Sequence, residues 1–190
     1  MARRHDLVGL TVLALLTVRA SHPYELHRYI IDTHKDYITG LPRSLYHAVE
    51  RLAADELITP VGTDRAGRRP ERTVYEITDE GRHELRTRLC HLLERPDPDR
   101  RAFVAAVSLI GCLSLDEART ALRARAATIE GTLAGMRANM SALAESGLPA
   151  ILTLEVEVEL ALYTAELEWI KGVFDRLDKG ELVWDPTVEM

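Results

Sequence analysis

Two cysteines in 190 residues, Cys90 and Cys112, are too few and too isolated for a disulfide framework or a four-ligand zinc site, and both read as ordinary thiols. Apolar runs are short as well. The longest, Leu7 to Val18, has 12 residues interrupted by Gly9, Thr11 and Thr17, against the roughly 20 that a membrane span needs. It has no small-residue cleavage site and Arg19 closes it, so the chain is expected to stay in the cytoplasm, away from the membrane. No Ser-x-x-Lys, Gly-x-Ser-x-Gly, Walker or dinucleotide fingerprint occurs, and the carboxylates fall mostly on exposed helical faces. Neither an enzyme nor a cofactor is expected. The histidines do not suggest a metal centre: His22, His27 and His34, and likewise His83, Cys90 and His91, are separated by five, seven and eight residues, steps that do not stack ligands on one helical face.

What is present is a soluble, helix-rich composition, 46% apolar and 28% charged, with only 5% aromatic residues. The net charge of −6 at first argues against nucleic acid, but it is unevenly spread. Residues 1–95 carry 15 Lys+Arg, 14 Asp+Glu and all seven histidines, whereas 96–190 carry 9 and 16. A near-neutral half can hold phosphate if its basic groups gather on one face, and an acidic half is repelled by it. Two domains are expected, 1–95 and 96–190, divided at Arg95-Pro96-Asp97-Pro98, where two prolines stop any helix.

In the first half, Leu7 to Val18 is apolar nearly all round and predicts a helix covered on several sides. Ser21-His22 offers a cap, Pro23 suits a first helical position and Glu25 adds a first-turn carboxylate, predicting a second helix to about His34. After Thr39-Gly40-Leu41-Pro42, a third helix runs from Arg43 to about Asp55. Leu45, Val49, Leu52 and Ala53 form its apolar stripe. The opposite side carries Arg43, His47, Glu50 and Ala54, flanked by Ser44, Tyr46 and Arg51: a polar reading face. Two extended segments follow, Leu57 to Thr63 and Thr73 to Thr78, joined by a Gly- and Pro-bearing connection into a hairpin. Its tip is basic, with Arg65, Arg68, Arg69 and Arg72 against Asp64 and Glu71. Thr78 caps a fourth helix reaching about Leu93.

In the second half, Asp97 and Pro98 suit the start of a helix to about Leu113. Ser114-Leu115-Asp116-Glu117 fits a capping box for one long helix stopped by Ser146-Gly147-Leu148-Pro149. The last helix, about 150–179, shows two apolar seams. One holds Val156, Leu160, Tyr163, Leu167, Ile170, Phe174 and Leu177, the other Val158, Leu162, Ala165, Trp169 and Val173. Two seams need two partners, and a second copy of the chain best supplies one of them. The fold class expected is mainly α with a small β-hairpin, a winged helix-turn-helix domain followed by a long-helix dimerisation domain.

Pro23-Tyr24-Glu25-Leu26, Ser44-Leu45-Tyr46, Leu57-Ile58 and the run Tyr75-Glu76-Ile77-Thr78-Asp79-Glu80-Gly81, in that order and spacing, resemble PadR-family transcription regulators. The part from Pro98-Asp99-Arg100-Arg101-Ala102-Phe103 onward is similar to the longer C-terminal domain of the virulence-activator-like branch. The resemblance implies that the third helix enters the major groove, that the wing touches flanking backbone and that the C-terminal helices build a two-fold dimer. It gives Tyr46 a backbone phosphate and Tyr24 a supporting role in the second helix. Four positions depart from the family pattern: Arg43 stands where glycine is frequent, His47 where proline is, Glu50 at a commonly basic site, and Glu56 where a helix-ending glycine is usual. Shared docking with a different sequence preference follows.

The DNA-binding set is therefore Arg43, Ser44, Tyr46, His47, Glu50 and Arg51 on the helix, with Arg65, Arg68, Arg69 and Arg72 on the wing reaching phosphate. The dimerisation set is Leu160, Tyr163, Leu167, Ile170, Phe174 and Leu177. Relatives respond to phenolic or drug-like ligands, which makes Trp169 and Trp184 candidates for an aromatic effector pocket beside their plain packing role. The function implied is a sequence-specific DNA-binding regulator, a repressor, acting as a homodimer on an inverted repeat. The competing reading is a helical protein-interaction or effector-sensing module with the winged helix as scaffold, which leaves the basic wing unexplained.

Overall fold

The computed structural model describes residues 5–35, 37–38, 40–64 and 72–184, with only the backbone described at Thr63, Asp64 and Arg72. The chain resolves into two compact units, one of residues 5–92 with Asp97–Ser114, the other of Leu93–Pro96 with residues 115–184. The segment Asp97–Ser114, placed by sequence beyond the proline junction, packs with the first unit.

In the first unit, α1 (Leu7–Val18) is the central element, with Gly9 to Leu16 all buried. Thr11 survives there because its hydroxyl donates to the Leu7 carbonyl one turn back, at 2.9 Å. Next, α2 (Pro23–Asp32) is capped by His22, whose Nδ1 accepts from the Tyr24 N–H at 3.0 Å, while Glu25 returns to the His22 N–H at 3.0 Å. The box that serine or threonine usually makes is closed here by an imidazole. In α3 (Arg43–Ala54), Leu45, Ala48, Val49 and Leu52 are buried. Its end is the turn at Glu56, which adopts φ +57° in the place of glycine, with the Leu57 N–H reaching back to the Leu52 carbonyl at 2.9 Å.

Strands β1 (Ile58–Asp64) and β2 (Arg72–Ile77) pair antiparallel, Ile58 opposite Ile77, with the register shifting between Pro60 and Gly62. Ser21 joins them through two backbone hydrogen bonds with Tyr75, of 2.9 and 3.1 Å. Nothing local announces this strand-like pairing, because Ser21 reads as half of a helix cap. Thr78 caps α4 (Asp79–Glu94) by accepting from the Gly81 N–H at 3.0 Å and donates to the Glu56 carbonyl at 2.9 Å, tying wing, α3 turn and α4 together. Asp99, rather than Asp97, caps α5 (Arg100–Ser108), which is shorter than expected and gives way to a single 3-10 turn at Ile110–Cys112. Burial raises the Cys112 thiol above its ordinary range, outweighing a hydrogen bond with Thr17 and the charge of Lys35, so it stays protonated at neutral pH.

The second unit is built on α6 (Leu115–Glu145) and α7 (Leu154–Asp178), joined through Gly147 at φ +80° and a 3-10 turn at Ala150–Thr153. Arg119 meets Asp178 at 2.5 Å and Glu130 meets Lys171 at 2.8 Å, so α7 runs antiparallel to α6. Between them Leu122, Ile129 and Leu133 are buried on α6, and Leu167, Ile170 and Val173 on α7. Within this core lies an ion pair, Arg125 Nε to Glu166 Oε1 at 2.5 Å; the Arg125 side chain is 2% exposed. Arg125 Nη1 also donates to the Arg95 carbonyl at 2.8 Å, giving the charge several partners, which burial demands. Among the described residues the fold is mainly helical with one small hairpin, a winged helix followed by two long helices.

Candidate nucleic-acid interface

A helix can read DNA only if its apolar stripe is satisfied inside the protein and its other side is free and polar. In α3 the four buried residues form the inward stripe, and Arg43, Tyr46, His47, Glu50 and Arg51 are exposed. Ser44 is half-buried on the flank. The face expected from periodicity is therefore the face left open.

Its side chains are linked. The Arg43 Nε donates to His47 Nε2 at 3.3 Å, and His47 Nδ1 lies 3.4 Å from Glu50 Oε2, a chain running one helical step at a time along the outer side. Both pairs are well exposed and so weak individually, easily exchanged for contacts to a ligand. Arg51 is different: its Nη2 donates to Asp6 Oδ2, a carboxylate at the start of α1. Periodicity had no means of finding Asp6, which lies 45 residues away along the chain.

Of the wing arginines, Arg65, Arg68 and Arg69 lie outside the described residues, and Arg72 is described only in its backbone, at the start of β2 opposite Asp64. Among the described residues no three His, Cys, Asp or Glu side chains are grouped to hold a metal ion, and no helix is long and apolar enough to cross a membrane.

The residues expected to pair two chains divide differently. Leu167 and Ile170 are already buried within the single chain, while Leu160, Tyr163, Phe174 and Leu177 are half-buried. The other seam is open over most of its length: Val158, Leu162 and Trp169 are each more than two-fifths exposed, Ala165 is exposed between them and Leu154 is exposed ahead of them, whereas Val173, the last member of the seam, is buried. Trp169 thus stands on the outer side of α7. Two adjoining clefts, of about 170 and 270 Å³, open beside His5, Asp6 and Leu7, the larger also lined by Leu10, Arg88, His91 and Leu92; Trp169 lines neither.

Residues 12–87 match the model of the transcriptional regulator PadR-like family. Among solved structures, the chain is similar to Bacillus subtilis PadR in complex with operator DNA, at 19% identity over 90% of this chain and 97% of that one, with a TM-score of 0.45. Bacillus subtilis PadR in complex with p-coumaric acid is 18% identical over 90% and 99%, TM-score 0.40. A PadR-like transcriptional regulator from Bacillus cereus is 18% identical over 91% and 99%, TM-score 0.39. No curated protein matches the chain.

Proposed function

We propose that residues 12–87, which match the PadR-like transcriptional-regulator family model, form a DNA-binding domain of that kind, and that the protein binds DNA sequence-specifically as a cytoplasmic homodimer and represses transcription by occupying its operator. The observation that carries this reading is α3, whose apolar stripe is buried and whose Arg43, Tyr46, His47 and Glu50 are exposed together. Arginine pairs with the guanine edge and glutamate with the cytosine amino group, while Tyr46 and the wing arginines supply phosphate contacts that fix register. Two copies present the face twice, so the operator is an inverted repeat with half-sites about one helical turn apart or a multiple of it.

Dimerisation is supported by the open seam on α7, since an apolar row along most of a helix is unfavourable in water unless covered. A small aromatic effector is proposed for the helical unit, with Trp169 as the aromatic side chain against which it would stack. Binding would be read as quenching of its fluorescence.

Selection of bound sequences from a random DNA pool tests the function directly. The expected result is a palindromic consensus, with retention strong at low salt and abolished at high salt. Retention of no DNA at any salt would sink the reading and leave the helical unit as a protein-interaction module.

A further inference from the structure

We propose that Asp6, at the start of α1 and outside the reading helix, is a specificity-determining positioning residue that fixes the direction of Arg51. The proposal rests on α3 docking on DNA. Arg51 lies on the Ser44 flank of the exposed face, and its Nη2 is held by Asp6 Oδ2. Asp6 is not a loose surface carboxylate. Its Oδ1 accepts from the Gly9 N–H at 2.9 Å as the N-cap of α1, the most deeply buried helix of its unit. The neighbouring residue is anchored too: His5 Nε2 lies 3.0 Å from Asp97 Oδ2, and Asp97 Oδ1 accepts from the Asp99 N–H at 2.7 Å. These contacts hold the Asp97 carboxyl below its ordinary range, the His5 hydrogen bond being the largest cause.

Gly9 is the second observation. A Cβ there would lie 2.3 Å from Asp6 Oδ2 and 2.9 Å from Asp6 Cγ, so glycine alone leaves this carboxylate its place. Glycine is a poor residue for a helix interior, and its presence in the first turn of α1 is accounted for by the room it gives Asp6.

An unrestrained surface arginine follows the nearest phosphate, which every sequence offers. Pinned at one nitrogen, the guanidinium presents its remaining N–H donors from a fixed place, and the paired carboxylate cancels much of its pull on phosphate at large. Asp6 thereby lowers affinity for the wrong sequences more than for the right one, which is what specificity requires.

The experiment compares a duplex carrying the consensus selected by the wild-type protein with a scrambled duplex of the same composition. Asp6→Asn keeps a good helix cap and removes the charge. Affinity for scrambled DNA should rise several-fold, its log affinity versus log salt slope should steepen by about 0.9 for the phosphate gained, and the consensus-to-scrambled ratio should fall by roughly tenfold. Gly9→Ala displaces the same carboxylate without altering any charge and should move the ratio in the same direction. Arg51→Ala should lower the ratio as well, and adding Asp6→Asn to it should change nothing further. Equal shifts on both duplexes in Asp6→Asn and Gly9→Ala would overturn the proposal and leave Asp6 as a cap. A wild-type protein that retains neither duplex overturns the docking of α3 instead, a result the variants are not needed to see.

Discussion

Gly81 shows how a recognisable residue can have a reason its motif does not state. A Cβ there would stand 2.0 Å from the Leu57 carbonyl oxygen and 2.8 Å from Ile77 Cγ1, so α4 meets the end of α3 at a distance only glycine permits. Because one obstacle is backbone, it cannot swing aside. Gly81→Ala should destabilise the first unit by about 3 kcal/mol, measured by denaturant unfolding, and a change below about 1 kcal/mol would refute this packing account. Glu56 is the opposite case, a side chain held at φ +57° where glycine would be unstrained. Glu56→Gly should stabilise by about 1 kcal/mol in the same assay. From sequence, Glu56 could be seen to break a pattern, and the left-handed turn persists because the Thr78 hydroxyl donates to its carbonyl. Asp6 could not be seen at all, since nothing local marks a carboxylate whose partner is brought to it by tertiary folding.

At the scale of elements, α1, α3, α4 and α6 were located almost to their ends, α1 as a run apolar nearly all round and the others by an apolar stripe bounded by caps or breakers. It failed at α5, where Pro98 suggested an earlier start and the cap proved to be Asp99. On α7 both seams were legible, but not which one faces α6, because equal hydrophobicity on two sides does not name the neighbour. Burial separates them except at Val173, which belongs to the open seam and is nonetheless buried. Leu167→Glu with Ile170→Glu places charges inside the single-chain core and should unfold the helical unit, as circular dichroism would report. Val158→Glu with Leu162→Glu touches only the open seam and should leave helicity intact while sedimentation shows monomers. A dimer unaffected by the second pair would place the partner elsewhere. Arg125 belongs here as well, since it joins α6 to Glu166 on α7 and to the Arg95 carbonyl. Arg125→Ala strands the Glu166 charge and should cost about 3–5 kcal/mol in chemical unfolding, whereas replacing both partners by apolar residues should cost much less.

Across the whole sequence, a near-neutral, histidine-bearing half is set against an acidic one, and under the proposed function only the first would meet phosphate. Arg68→Ala with Arg69→Ala, a pair chosen on sequence, should weaken binding to all DNAs alike and flatten the salt slope by about 0.9 for each phosphate no longer neutralised. A changed consensus with the slope intact would contradict that assignment. Composition and proline placement suggested a clean partition at residue 95, yet within the described residues the chain passes between its two units three times, after Leu92, after Pro96 and after Ser114. Ala102, Phe103, Ala105 and Ala106 are all buried in α5, on the far side of the prolines from the unit they complete. The two parts are thus not modules that can be severed at the obvious scissors mark. A fragment ending at residue 95 would expose the surface that α5 covers and should be rapidly digested by protease, while one ending at residue 114 should persist as a compact core. Any scheme that exchanges these units between chains, in the laboratory or over evolutionary time, would have to move its joint to the far side of α5.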